Sequence, residues 1–467
     1  MSGKLLSLVK PEIQIPLDDN FRPAVLWNRT FLNIARNTGE SVPLSIGIEK
    51  EDSSVLVYKT HVFPDEHGFA SYNYQYVERL VKALLWIYGG YKIIIGGSKK
   101  IGEYIKKLYF AKGKRAFDAN FMSGIYEKPF AVEISDTGKI FPTREKSIPL
   151  GGHLDGCRIG FDLGASDRKV SAVIDGKVVF SEEVVWDPAK QIDPCYHYHE
   201  ILSMLHRAAA HMPHVQAIGG SSAGIYINNR VMSASIFRAI SPVLFESKVK
   251  TIFLDIQKEW SVPLKVINDG EVTALAGSMS LKKNAVLGIA LGSSEAGGYI
   301  NKRGNINDWL NELAFVPVDL NSEAPIDEWS ADRGCGVQYL SQLAAIRLAK
   351  RAGIVLDGKQ TPADKLKYIQ ELMARGDKRV EKVFETIGCY LGYSIAYYAQ
   401  FYEIEIVLIL GRVTSGEGGQ IILKKASQVL EEEFPELAGK IALHLPDESS
   451  RRVGQSIAAA SLPLISN

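Results

Sequence analysis

From about residue 155 onward, apolar and polar positions alternate with the period of two that marks half-buried strands. Residues 157–163 and 169–174 read as two strands split by the polar turn Gly164-Ala165-Ser166-Asp167-Arg168. Asp175-Gly176 then supplies a tight turn into a third strand over 177–185. The spacing predicts a helix at 199–212, a strand at 215–218 running into Gly219-Gly220, a helix at about 236–246 and a strand at 264–267. A helix of small residues follows over 271–280. The second half opens with a strand at 285–290, a Gly/Ser loop at 292–298 and Tyr299-Ile300. Helices then dominate, at 337–352, 363–375 and 380–402. A strand at 404–410, the loop 411–419, a helix at 420–433 and a last helix at 454–462 complete the pattern. Strands alternating with helices predict an α/β fold with mixed sheets.

Residues 1–150 repeat part of this order. Val77, Leu80, Val81, Leu84 and Leu85 mark an amphipathic helix ending at Gly89-Gly90, and a strand at 91–95 closes on Gly96-Gly97. Upstream, 44–48 and 55–58 resemble two hairpin strands. Ile46-Gly47-Ile48-Glu49 echoes Ile159-Gly160-Phe161-Asp162, and Ile94-Ile95-Gly96-Gly97-Ser98 echoes Ala217-Ile218-Gly219-Gly220-Ser221. One reading is a degenerate copy of the lobe that follows, structural or regulatory because it lacks the Asp-Leu-Gly turn. The other is that two α/β segments share ordinary grammar. The expected domains are an N-terminal α/β region at 1–150, a first lobe at 151–275 completed by a C-terminal helix at 450–467, and a second lobe at 276–449.

Bulk properties narrow the class. A chain of 467 residues is too long for one ordinary core. With a net charge of +1 there is no basic field for nucleic acid. Cys157, Cys195, Cys335 and Cys389 form no CxxC pair, which fits free thiols in a reducing cytoplasm. The opening MSGKLLSLVKPEIQIP has no long apolar run, and the longest apolar stretches, such as 407–410, are strand-sized, so a cytoplasmic protein without a membrane span is expected.

Four strand ends carry candidate chemistry. Asp162-Leu163-Gly164 joins a carboxylate able to hold Mg²⁺ through water to a tight turn able to present backbone N–H groups to phosphates, with Ser166 and Lys169 close by. Alone, such a hairpin turn is common. Asn268-Asp269 ends an apolar strand where open α/β sheets place ligands, and Asp269 is a suitable general base for a sugar hydroxyl; the plain alternative is a helix cap. Gly292, Ser293 and Ser294 form a third small-residue turn. Gly411, Thr414, Ser415 and Gly416 follow a buried strand as the fourth. Any one Gly-rich loop is a weak signal; four in fixed order are a strong one.

This ordered set resembles the ROK family (repressors, open reading frames and sugar kinases) of the actin-like ATPase superfamily, over about residues 157–467. The resemblance implies a two-lobed fold and ATP-dependent phosphorylation of a monosaccharide. Asp269 would be the catalytic base, Asn268, Glu312 and the turn at Gly220 would contact sugar, and Asp162 would position Mg²⁺. Gly164, Ser166, Lys169, Gly292, Ser293, Ser294, Gly411, Thr414, Ser415 and Gly416 would surround ATP. The expected partners are a small-molecule sugar and ATP, with neither nucleic acid nor membrane, and with a homodimer as the candidate assembly. The sequence also departs from the family. After Glu312 it reads Leu313-Ala314-Phe315 without the family's Gly-His, and of the zinc motif only Arg333-Gly334-Cys335 survives, so no structural zinc is expected. Glu295 places a carboxylate in the second phosphate loop, and Arg412-Val413 replace a glycine of the adenosine loop. Cys195, His197 and His199 would share one face of a strand and bind metal, but the stretch reads better as a helix with ordinary histidines. Two other functions stay open: a non-catalytic sugar or nucleotide sensor, and an ATPase coupled to a partner protein.

Overall fold

The computed structural model describes residues 9–135, 143, 147–148, 150–446 and 448–465. The N-terminal region runs α1 (Ala24–Asn37), β1 (Val42–Glu49), β2 (Val55–Val62), α2 (Ala70–Tyr88), β3 (Lys92–Gly96), α3 (Lys99–Leu108), α4 (Ala116–Tyr126) and β4 (Ala131–Ser135). Its sheet has the order β2-β1-β3-β4. Alternation along β1 turns Leu44, Ile46 and Ile48 into the core, and Ser45 and Gly47 on the other face are buried as well.

β5 (Ser147–Ile148) comes next, followed by the first lobe: β6 (Cys157–Leu163), β7 (Asp167–Ile174), β8 (Lys177–Val185), α5 (Pro194–Ala209), β9 (Ala217–Ser222), β10 (Ile225–Ile227), β11 (Arg230–Ser233), α6 (Ile252–Trp260) and β12 (Leu264–Asn268). Its five-stranded sheet is ordered β12-β9-β6-β7-β8. β6, β9 and β12 run parallel, while β6, β7 and β8 form an antiparallel meander. α7 (Asp269–Leu281) leads to the second lobe: β13 (Val286–Leu291), β14 (Glu295–Ile300), β15 (Ile306–Asn307), α8 (Gln342–Arg351), α9 (Pro362–Ala374), α10 (Lys378–Tyr398), β16 (Ile406–Leu410), α11 (Glu417–Glu433) and β17 (Ala442–His444). Its sheet order is β17-β16-β13-β14-β15-β5, so Ser147–Ile148 serves as an edge strand here. The last helix, α12 (Glu448–Ala460), returns to the first lobe and lies on β6 and β9. Two glycines permit that approach: a Cβ on Gly160 would lie 2.0 Å from the Ser456 carbonyl oxygen, and one on Gly219 would lie 1.7 Å from that of Ala459.

The expected copy of the first lobe in residues 1–150 is corrected by strand direction. β3 runs antiparallel to β1, whereas its counterpart β9 runs parallel to β6. The N-terminal sheet starts with two antiparallel strands instead of three, so its crossover helix starts from the opposite end of the sheet and the return strand is reversed. The helix expected at 236–246 is instead a 3₁₀ turn (Ser235–Phe237), one α turn starting at Pro242 and a π turn (Phe245–Val249). Pro242 cannot donate the hydrogen bond that would continue a helix through it. Cys195, His197 and His199 lie on α5, so they do not share a strand face. His197 is buried, its Nε2 3.1 Å from the Pro188 carbonyl and 3.0 Å from that of Ile236.

The N-terminal region and the second lobe bury their apolar side chains in one continuous cluster, in which Trp86 stacks on Phe315 at 4.1 Å. A buried charge cluster crosses the same junction. Asp332 accepts Arg79 at 2.9 Å, Lys82 at 3.0 Å and Arg115 at 2.7 Å. Glu78 and Asp118 complete the balance, Glu78 with Arg79 at 2.7 Å and Asp118 with Lys82 at 3.3 Å. Removing one partner from such a cluster strands buried charge. Asp332→Asn is therefore expected to lower unfolding free energy by ~3–5 kcal/mol in a denaturant titration. A loss below about 1 kcal/mol would show that the junction does not depend on the cluster.

Candidate functional site

The parallel strands β6, β9 and β12 end side by side, because their register pairs Asp162 with Ser221 and Ser222 with Asn268. Ligands gather at such carboxyl ends. Ser221 Oγ donates to Asp162 Oδ1 at 2.7 Å, and Lys169 Nζ stands 3.8 Å from Asp162 Oδ2 and 3.0 Å from Asp167 Oδ1. Burial still raises the Asp162 carboxyl above its ordinary range. Asn268 caps α7: its Oδ1 accepts the Gly270 N–H at 2.7 Å, while its Nδ2 donates to the Gly224 carbonyl at 2.8 Å.

Asp269 is the first residue of α7 and accepts the Gly270 N–H at 3.0 Å. Burial, reinforced by the charge of Asp162, pushes its carboxyl up to about 6. Glu312 is pushed up to about 7 by burial and then by Asp269. The fold thus brings Asp162, Asn268, Asp269, Lys169 and Glu312 to one place, from segments up to about a third of the chain apart.

Three turns rim this place. Gly164 N–H closes the β6–β7 turn onto the Asp167 carbonyl at 2.9 Å, and Ser166 Oγ donates to Asp167 Oδ2 at 3.0 Å. In the β13–β14 turn Gly292 N–H donates to the Ser294 carbonyl at 2.9 Å, and Ser293 and Ser294 are exposed. Gly411 adopts φ 97° against Leu291, which seats the loop after β16 beside that turn. Ser415 and Gly416 are exposed at the start of α11, while Thr414 is turned inward, its hydroxyl donating to the Gly411 carbonyl at 2.8 Å. Asp167 sits below the usual carboxylate range: burial alone would raise it, but Lys169, Ser166 and Arg412 from the facing lobe outweigh that. The turns of the two lobes are therefore within electrostatic reach.

Two expectations change. Gly220 does not face the cleft as a sugar contact. Its backbone is paired in the sheet, and a Cβ there would lie 2.2 Å from the Phe161 ring, so its smallness serves packing; Gly224 is the glycine that meets Asn268. Glu295, placed by sequence in a phosphate loop, points the other way. It is buried and accepts the Tyr398 hydroxyl at 2.8 Å, and burial pushes it up to about 8, so at neutral pH it is largely uncharged.

Sequence reading missed several neighbours. Ser221 and Ser222, the latter accepting Tyr226 Oη–H at 2.7 Å, were signalled only by the polar pair after Gly219-Gly220. Glu51 and Tyr126, from the N-terminal region, border a small cavity of about 40 Å³ with Asn268, Glu271 and Asp308. No local pattern announces them.

No family model and no curated protein matches the chain. Among solved structures it is similar to a ROK family transcriptional regulator, a homolog of the E. coli MLC protein, with a TM-score of 0.53 and 18% identity over 66% of this chain and 79% of that one. It is similar also to the ROK hexokinase from Thermus thermophilus, with a TM-score of 0.50 and 16% identity over 65% of this chain and 97% of that one. The chain thus shares the two-lobed mixed α/β fold of these ROK structures.

The raised carboxyl of Glu295 makes a stability prediction. A folded-state value near 8 against an unfolded value of 4.5 means its contribution is full below about pH 4.5 and is lost as pH rises through about 8. Glu295→Gln keeps the shape without the titration and should flatten the fall in Tm between pH 5 and 9. An unchanged slope by differential scanning calorimetry counts against a buried neutral acid at this position.

Proposed function

We propose that the protein is an ATP-dependent sugar kinase, transferring the γ-phosphoryl group to a monosaccharide hydroxyl. One observation carries this reading: Asp269 is a half-buried carboxylate at a helix start, raised to about 6, beside Asp162 and Glu312 and near three small-residue turns. A general base works best with a value near the operating pH. Asp269 would take the hydroxyl proton as the sugar oxygen bonds to phosphorus and the bond to the ADP oxygen breaks. Asn268 and Glu312 would hold sugar hydroxyls. The turns at Gly164–Ser166, Gly292–Ser294 and Ser415–Gly416 would receive the phosphates and adenosine, with Lys169 near the phosphate tail.

The donor set suits a divalent cation. Burial and then the charge of Asp162 raise the Asp269 carboxyl, and Lys169, at 3.8 Å from Asp162, is a distant counter-charge. Mg²⁺ held through water by Asp162 would neutralise charge on the transferred phosphoryl group. Closing the lobes would exclude water and limit hydrolysis of ATP. The expected setting is cytoplasmic; among the described residues no helix is long and apolar enough to cross a membrane.

A second reading, a ligand sensor without turnover, draws on a cross-lobe restraint. Glu127 at the end of α4 pairs with Arg230 and Lys250 of the first lobe, both at 2.6 Å, and ties the N-terminal region to it. Ligand-driven opening or closing would have to work against those pairs.

A coupled ADP-release assay over a sugar panel separates the readings. Sugar-dependent release supports the kinase; sugar-independent release indicates an ATPase; binding without release indicates a sensor. Asp269→Asn should reduce turnover by roughly 10²–10⁴-fold while retaining nucleotide affinity. Retained turnover removes Asp269 as the base. Because the base must be ionised, kcat/KM should rise with pH through about 6 and level off above it. A rate flat from pH 5 to 7 would contradict the assignment.

A further inference from the structure

The turn from β9 into β10 spans residues 222–226 and borders Asn268. It is tied down twice. Tyr226 Oη donates to Ser222 Oγ at 2.7 Å across the turn. In its middle, the Gly224 carbonyl accepts Asn268 Nδ2 at 2.8 Å. Ser222 is buried and sits beside Asn268 in the parallel pairing of β9 with β12. The half-buried Tyr226 ring is held in turn, edge-on to Phe253 with 5.9 Å between centroids.

These bonds form a chain that ends at the proposed base. Asn268 gives Nδ2 to Gly224 and uses Oδ1 to accept the Gly270 N–H at 2.7 Å, and Asp269 lies between those two capped positions. The two groups belong to one planar amide, so the place of the Gly224 carbonyl sets the direction in which Oδ1 meets Gly270. If the turn drifts, the amide follows it or drops a partner, and the cap that starts α7 loosens. Tyr226 suits this task because it stays a donor. Burial, and then the charges of Asp269 and Asp162, raise its hydroxyl above the ordinary tyrosine range, so it keeps its proton. A phenylalanine could pack on Phe253 equally well but would leave Ser222 Oγ buried without that donor.

We propose that Tyr226 is a positioning residue for Asp269: through Ser222 and the turn that follows it, the Tyr226 hydroxyl sets the Asn268 side chain and with it the first turn of α7. The expected effect on rate rests on the kinase reading of the cleft; the expected effect on structure does not. The phenol transfers no proton in this role.

Tyr226→Phe, Ser222→Ala and the double variant, each in the full chain, test it by hydrogen–deuterium exchange and by sugar-dependent ADP release. Amides of residues 269–272 should exchange ~10-fold faster in each variant, while those of the strand Ile406–Leu410 keep their rates. In the release assay kcat should fall ~10-fold with the KM for ATP unchanged, because the base is displaced and the nucleotide turns are not. Both single changes cut the same bond, so the double variant should be no slower than either. Should Tyr226→Phe fail to fold, Ser222→Ala reads the same bond. Unchanged exchange at 269–272 overturns the proposal, as do losses that multiply in the double variant or faster exchange with kcat unaltered. The two readings fail apart. Faster exchange in a protein that releases no ADP with any sugar removes the kinase and keeps the positioning role; sugar-dependent release that neither variant alters does the reverse.

Discussion

The last turn of helix Ala70–Tyr88 holds the segment that carries Glu312. Its orphan carbonyls, those of Trp86, Ile87 and Tyr88, accept the N–H groups of Glu312, Asn311 and Leu310 at 3.0, 2.9 and 3.3 Å. A helix end left unsatisfied in the interior is costly, and so is an irregular buried segment. Each here satisfies the other. Asn311, bent to φ 53°, is held further by the Tyr402 hydroxyl at 2.9 Å, and Glu312 follows directly. The N-terminal region is therefore part of the scaffold of the site, and the buried charges around Asp332 fix the same helix one to two turns earlier.

The electrostatics at the cleft follow from that placement. Three carboxylates, Asp162, Asp269 and Glu312, come from a strand end, a helix start and an irregular segment, and each is raised by burial. In a structural ion pair a counter-charge would lower them, as Lys169 and Ser166 do for Asp167. Raised, crowded acids persist where something other than stability is selected, because mutual repulsion costs free energy in the empty state. Glu78, Asp118 and Asp332 make the contrast inside the same protein, since there three cations match three acids. Burial alone does not separate a functional from a structural carboxylate here; the presence of a paired cation does.

Much of the fold was legible because it rests on local pattern. The strands at Cys157–Leu163 and Lys177–Val185 have the bounds that alternation suggests, and helix Pro362–Ala374 lies within a residue of the expected 363–375. Asp162, Asn268 and Asp269 could be nominated because a polar residue ending an apolar strand has no packing reason to be there. Strand direction was not legible: similar strings around Ile46–Glu49 and Ile159–Asp162 sit in sheets whose crossover strands, β3 and β9, run opposite ways relative to them. Nor was the facing of Glu295, since one residue of register decides whether a hairpin side chain meets the cleft or the helix behind it.

Glu51 and Tyr126 mark the limit of local reading. They lie about 75 positions apart and more than 140 before Asn268, and only tertiary packing makes them neighbours. Their contribution follows from shape. In the proposed kinase the two lobes would close around a nucleotide with short turns, because phosphates need backbone donors and little else. Discriminating one polyol from another requires side chains on several sides of the ligand, since each unmatched hydroxyl or amine costs buried hydrogen bonds. In the proposed kinase the first lobe would offer Asn268 through strand β12, and the second Glu312 through its irregular segment. A third wall must come from elsewhere, and the region packed on the second lobe occupies that side.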